Sequence, residues 1–350
     1  MKSAAVNTVL GLVSGLFLSV AVQAAEPMAV NQPVPTARIL RMSPALDAVI
    51  APDVKIEKIA TGFMFTEGPM WHKSALWFAD LQGNKMYSLS STGQLKLMLD
   101  KAGGLPSIPA GTYRGSNGMV ANKDGTVLMT QHGARRIVQL DDKMNIKVFL
   151  EKYQGTQLNS PNDMVYAQDG ALYFTDPPYG FLDPLGAPNK DLDKDPGHGL
   201  KFNGVYRYKD GQLTTVITDL PRPNGLAFSP DGKTFYIANS ENPSAFYKYD
   251  VRPDGTLTNR QLIADVSKEP GGGVPDGVKV DSQGNLWASG QGGFRIYSPK
   301  GQLLGQIILP EVAANVAWGG ADGKTAYFTG STSIYKMPLK IPGHLPVYRF

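Results

Sequence analysis

Short apolar stretches of four or five residues, each announced by a polar residue and followed by a turn, recur along the chain between residues 67 and 337. The unit is a polar residue, an apolar strand, a tight turn and a second apolar strand. Its six copies begin at Glu67, Asn117, Asn162, Asn224, Asp276 and Asn315. In the second copy Asp124-Gly125 separates the strands and Thr126-Val127-Leu128-Met129 follows; in the fourth the turn is Asp231-Gly232 and the second strand Thr234-Phe235-Tyr236-Ile237. Each copy reads as a β-hairpin. Aromatic and β-branched residues suit a half-buried pleated surface, and the turn glycine supplies positive φ.

A third strand-like stretch follows each hairpin, as at Lys85 to Leu89, Arg136 to Leu140 and Ala245 to Tyr249, and most copies add a fourth, as at Leu95 to Leu99 and Ile146 to Leu150. Four antiparallel strands per unit, repeating at roughly 40 to 60 residues, match propeller blades. The sequence therefore predicts an all-β, six-bladed β-propeller spanning residues 42–350. A two-sheet sandwich would not generate such a repeat. The last copy lacks a fourth strand because Pro338, Pro342 and Pro346 punctuate the tail. Val54 to Ala60 is expected to supply it, closing the ring and removing an open sheet edge.

Composition sharpens this picture. There are 39 Gly and 26 Pro, as a turn-rich chain requires, and no Cys, which removes disulfides, thiolate nucleophiles and soft-metal sites. The formal net charge is +4 with no Lys/Arg block, so nucleic acid is not an expected partner. Lys2, the apolar run Val9 to Val22 and the ending Val22-Gln23-Ala24 read as a signal peptide over residues 1–24, too short and glycine-broken for a membrane span. The mature protein is expected to be periplasmic or secreted, without a membrane anchor. Residues 25–41 show no periodicity and are expected to form a flexible leader. Nothing in the sequence defines an oligomeric state.

In a propeller the first strand of each blade lines the channel, so the six copy-opening residues converge on one axis. Two carboxylates and four amides there make a hard-oxygen centre suited to Ca2+, with another divalent cation compatible. Any one Asn or Asp alone would serve a turn equally well. The residues by themselves do not say which four of the six would ligate.

The segments Phe65-Thr66-Glu67-Gly68-Pro69, Gly115-Ser116-Asn117-Gly118, Asn159-Ser160-Pro161-Asn162-Asp163, Thr175-Asp176-Pro177-Pro178-Tyr179-Gly180, Arg222-Pro223-Asn224-Gly225 and Val274-Pro275-Asp276-Gly277 are specific as an ordered set. On them, the chain resembles the senescence marker protein/gluconolactonase/luciferin-regenerating-enzyme-like family, on the side of its bacterial gluconolactonases. The resemblance implies calcium held by Glu67, Asn162, Asn224 and Asp276, and calcium-dependent hydrolysis of a sugar lactone, D-glucono-1,5-lactone foremost. Asp276 is the candidate catalytic residue, as general base or as positioner of the nucleophile. A carboxylate bound to a cation is less basic, which leaves a metal-bound water as the alternative attacking species.

Asn117, Asn162, His132 and Tyr179 are candidate substrate contacts, with Arg135 and Arg136 near the rim beside His132. Asp163 is expected to point away from the axis by strand alternation and to orient a ligand. The polar connection from Phe181 to Gly199 is a candidate lid. Its Asp191, Asp193 and Asp195 do not start an EF-hand, since Pro196 replaces the turn glycine and Phe202 the bidentate glutamate. No Gly-x-Ser-x-Gly elbow, His-Glu-x-x-His or phosphate loop is present. Another lactone, a phosphotriester, or a non-catalytic binding role for the propeller face are the competing readings.

Overall fold

The computed structural model describes residues 26–181 and 199–350. The signal peptide, residues 1–24, and nearly all of the expected lid, residues 182–198, lie outside the described residues.

Six antiparallel sheets follow one another around an axis. Blade 1 comprises Thr66–His72, Ala75–Asp80, Lys85–Ser90 and Leu95–Asp100. Blade 2 runs from Ser116–Ala121 to Ile146–Leu150, blade 3 from Met164–Tyr166 to Gln212–Ile217, and blade 4 from Pro223–Phe228 to Leu257–Asp265. Blade 5 extends from Val278–Val280 to Leu303–Ile308, and blade 6 from Ala313–Gly319 to Ser333–Pro338. Glu57–Thr61 pairs antiparallel with Ser333–Pro338, so the ring closes with an N-terminal strand completing the last blade. Among the described residues an apolar cluster fills each of the six interfaces between blades; Leu128 and Ile137 of blade 2 against Phe174 and Tyr206 of blade 3 is one.

The expectation of a flexible leader over residues 25–41 is overturned for most of its length. Met28–Pro33 adds a fifth strand outside Glu57–Thr61, and Arg38–Arg41 adds a fifth strand to blade 5 against Leu303–Ile308. Val34, Ala37 and Ile39 pack on the apolar cluster between blades 5 and 6. These strands take their hydrogen-bond partners from distant outer edges, so no local periodicity marks them.

The hairpin turns also differ in detail. Gly125 and Gly232 have φ of 84° and 69°, but in each case the glycine N–H bonds back three residues, Gly125 to Asn122 and Gly232 to Ser229. That is a longer loop closed by a left-handed glycine rather than a two-residue turn. In blade 1, Lys73 and Ser74 both have positive φ, the two-residue form, where the sequence has no Asp-Gly.

At the far end of the inner strands, the tail from His344 to Phe350 crosses the channel mouth. His344 N–H bonds Val280 O, Lys73 N–H bonds Phe350 O, and Tyr348 stacks edge-on against Tyr166. Among the described residues no helix is long and apolar enough to cross a membrane.

Candidate active site

Four of the six inner strands begin with an irregularity. The pairing register shifts between Glu67 and Met70, between Ser116 and Met119, between Pro223 and Leu226 and between Ala313 and Asn315. Such bulges re-aim side chains, here into the channel. Neighbouring blades come within backbone contact at these points: Gly118 N–H bonds Asn162 O at 2.9 Å, Gly225 N–H bonds Asp276 O at 3.1 Å and Gly277 N–H bonds Ala314 O at 2.9 Å.

The result is a cavity of about 370 Å³ at the opening of the inner strands, lined among others by Glu67, Asn117, His132, Asn162, Tyr179, Asn224 and Asp276. Every predicted ligand and substrate contact therefore faces one space. Asn315 does not line it. Its amide donates to Glu67 Oε2 at 3.2 Å while its Oδ1 accepts the Val316 N–H, so it positions Glu67 from behind.

Glu67 is 2% exposed. Its Oε2 also accepts the Gly68 N–H at 2.7 Å, whereas Oε1 is buried with no hydrogen-bond partner among the described residues. A buried carboxylate oxygen left without a partner is costly unless something positive meets it. Burial raises the Glu67 carboxyl to about 7 and pushes Asp276 well above the ordinary aspartate range, with the neighbouring Glu67 charge adding to the rise at Asp276. A positive charge between two carboxylates that oppose each other's ionisation would relieve both.

The amide of Asn224 is oriented by a proton chain. Ser240 Oγ donates to Pro275 O at 2.7 Å, and Tyr179 OH lies 2.6 Å from Ser240 Oγ and so donates to it. Both hydroxyl oxygens then need a donor, which Asn224 Nδ2 supplies at 3.0 Å to each. Asn224 Oδ1 is left as the acceptor. Tyr179 thus contributes to the cavity by holding Asn224 as well as by lining it.

His132 is 1% exposed and burial lowers its imidazole to about 4, so it is neutral at pH 7. Its Nδ1 lies 2.9 Å from Tyr113 O, which requires the proton on Nδ1 and leaves Nε2 as an acceptor without a partner among the described residues. The arginines expected beside it do not reach the cavity. Arg135 Nε donates to Leu158 O and Asn159 O, and Arg136 Nε to Gln131 Oε1, because the chain turns outward at Arg135, whose φ is 57°.

The prediction for Asp163 is corrected. Asn162 N–H bonds Thr175 O while Thr175 N–H bonds Asp163 O, so the chain does not alternate regularly here, and the Asp163 carboxylate meets Lys279 Nζ of blade 5 at 2.9 Å. Sequence reading missed several lining residues, Phe65, Tyr113, Arg222, Val274 and Val312 among them. Arg222 had a signal, two residues before an axial asparagine; Tyr113, on a connection between blades, had none. Among the described residues no three His, Cys, Asp or Glu side chains are placed to hold one metal ion together, so the oxygens of any hard-cation site here come largely from amides.

Fold and cavity define a six-bladed propeller with a polar axial site of paired carboxylates and fixed amides. The family model described as SMP-30/Gluconolactonase/LRE-like region matches residues 65–332. A gluconolactonase of Zymomonas mobilis is 36% identical over 318 residues, covering 87% of each chain. A pentonolactonase of Haloferax volcanii is 27% identical over 77% of this chain and 83% of its own length. The solved structure of a gluconolactonase from Xanthomonas campestris superimposes with a TM-score of 0.77 at 30% identity, covering 90% of this chain and 99% of that one. The chain belongs to the SMP-30/gluconolactonase/LRE-like family.

Proposed function

We propose that this lactone hydrolase opens D-glucono-1,5-lactone to gluconate with a calcium ion held by Glu67, Asn162, Asn224 and Asp276. The observation that carries the cation is the buried Glu67 Oε1, without a hydrogen-bond partner among the described residues, in a cavity that Asp276, raised by burial and by the Glu67 charge, and Asn224 also line. An all-oxygen donor set of this kind fits a hard divalent ion. When bound, the ion supplies Lewis acidity, polarising the lactone carbonyl and stabilising the negative charge that forms on its oxygen.

The chain's own groups do the rest. Asp276, partly open to the cavity, takes or directs the proton of the attacking water. Asn117 and the bare Nε2 of His132 bind ring hydroxyls, an acceptor and a donor–acceptor amide matching a polyol. Phe65, Val274 and Val312 wall the cavity with apolar surface, limiting competing water. The relatives named gluconolactonase support the six-carbon lactone. Residues 1–24 support a reaction outside the cytoplasm, where oxidation of glucose would deliver the lactone.

Purified protein with calcium is expected to accelerate D-glucono-1,5-lactone opening well above the spontaneous rate, and a chelator to abolish the acceleration. A five-carbon aldonolactone assayed in parallel separates the two ring substrates. No acceleration with calcium supplied removes the proposal.

Cation affinity should depend on pH in a set direction. A proton must leave Glu67 before the ion enters, and that proton is held up to about pH 7. Affinity is expected to fall as pH drops through about 7, by about tenfold per unit or more, because the Asp276 carboxyl is raised as well and must also give up any proton it holds. Calcium titrations from pH 5 to pH 9 check this, and a flat profile contradicts it.

A further inference from the structure

The inner strands obey a sixfold pattern. After the axial residue comes Gly68, Gly118, Asp163, Gly225, Gly277 or Val316. Three positions after it stands Met70, Val120, Val165, Ala227, Lys279 or Trp318. Asp163 and Lys279 are the charged departures from these two rows, and they are the two members of a single ion pair.

The pair spans the channel from blade 3 to blade 5, Lys279 Nζ to Asp163 Oδ2 at 2.9 Å, with the Asp163 side chain 6% exposed. Asp163 Oδ1 accepts the Met164 N–H at 2.8 Å, so the carboxylate is fixed at both oxygens. Both charges act on Glu67, and Asp163 acts on Asp276 as well. Glu67, Asp276 and Asp163 set against Lys279 leave two negative charges on the axis, the complement of one divalent ion.

We propose that the Asp163–Lys279 pair is a built-in charge balance for the axial site, with Lys279 tempering the field of three carboxylates so that it matches a single divalent cation. This rests on the cation reading given above. Neither residue touches substrate; both act on the ion through the field at Glu67 and Asp276.

A field effect has a sign, and a packing effect does not. Lys279→Met removes a positive charge near the ion and is expected to tighten calcium binding about tenfold. Asp163→Asn leaves the ammonium unbalanced and is expected to weaken it about tenfold. The double variant should return to within about threefold of the parent, and Lys279→Arg, which keeps the charge, should match the parent likewise. Ten times corresponds to about 1.4 kcal/mol.

The measurement is calorimetric titration of calcium into the purified full-length protein, with a thermal melt of each variant. If Lys279→Met fails to fold, Lys279→Gln takes its place with the same expected sign. Opposite shifts in the two single variants support the proposal. Shifts of the same sign, or both under twofold, overturn it while leaving the cation reading intact. A parent protein that binds no divalent cation overturns the cation reading itself.

Discussion

Replacing Glu67 with glutamine is expected to leave a folded propeller that has lost the proposed calcium site and about a thousandfold or more of its lactonase kcat/KM. The geometry dictates how. Glu67 Oε2 is held by two donors, the Gly68 N–H and the Asn315 amide. A glutamine must offer its carbonyl oxygen to them, which turns its NH2 group to the place Oε1 now occupies. A donor then faces the cation where an acceptor stood, and one of two carboxylate charges is gone. Calcium affinity should weaken at least a hundredfold.

The same substitution should not harm the cation-free fold. In that state the Glu67 carboxyl is raised, so its contribution to stability is fully present below the unfolded-chain value near 4.5 and is lost as pH rises through about 7. Glutamine removes that loss. The cation-free variant should therefore melt at or above the parent at pH 8, and calcium should raise the parent's melting temperature but not the variant's. A Glu67→Gln protein with parental calcium affinity and turnover would refute the assignment of Glu67 as a ligand.

How much of this was legible beforehand differs by level. The blades were, because each carries its own apolar alternation and five of the six a turn glycine, and so was closure by residues before the first repeat, since Pro338 left the last blade short. The two outermost strands were not: Met28–Pro33 and Arg38–Arg41 are edge strands whose partners are far away in sequence. The axial residues were legible as a row of repeat-opening polar side chains. Their division of labour was not, because Asn315 and Asn224 look alike in sequence, yet one holds Glu67 from outside the cavity and the other offers an oxygen into it. Asp163 failed for a definable reason. Alternation holds only in a regular strand, and the chain enters blade 3 with Asp163 O accepting the Thr175 N–H while Asp163 N–H bonds the Thr175 hydroxyl.

The glycine after each axial residue was visible in four of six copies, and its meaning emerges from the packing. A Cβ on Gly225 would lie 2.4 Å from Asp276 O, 2.5 Å from Val278 N and 2.7 Å from Gly277 Cα. All three are backbone atoms of the next blade, so no rotamer change relieves the contact. The Gly225 N–H bond to Asp276 O would have to lengthen, moving blade 4 from blade 5 at the axis. Overpacking of this kind costs about 3 kcal/mol, which for a chain of this size is a fall in melting temperature of about 4–5 °C. Gly225→Ala is also expected to displace Asp276 and so to weaken calcium binding, coupling stability to the site. Gly211→Ala provides the comparison, for although its φ is 80° nothing lies within 4 Å of a Cβ there, so only backbone strain of about 1 kcal/mol applies and calcium affinity should hold. Thermal melts and calcium titrations of the two variants decide the matter: equal losses in both would show that the close approach of the blades at the axis is not what the glycine provides.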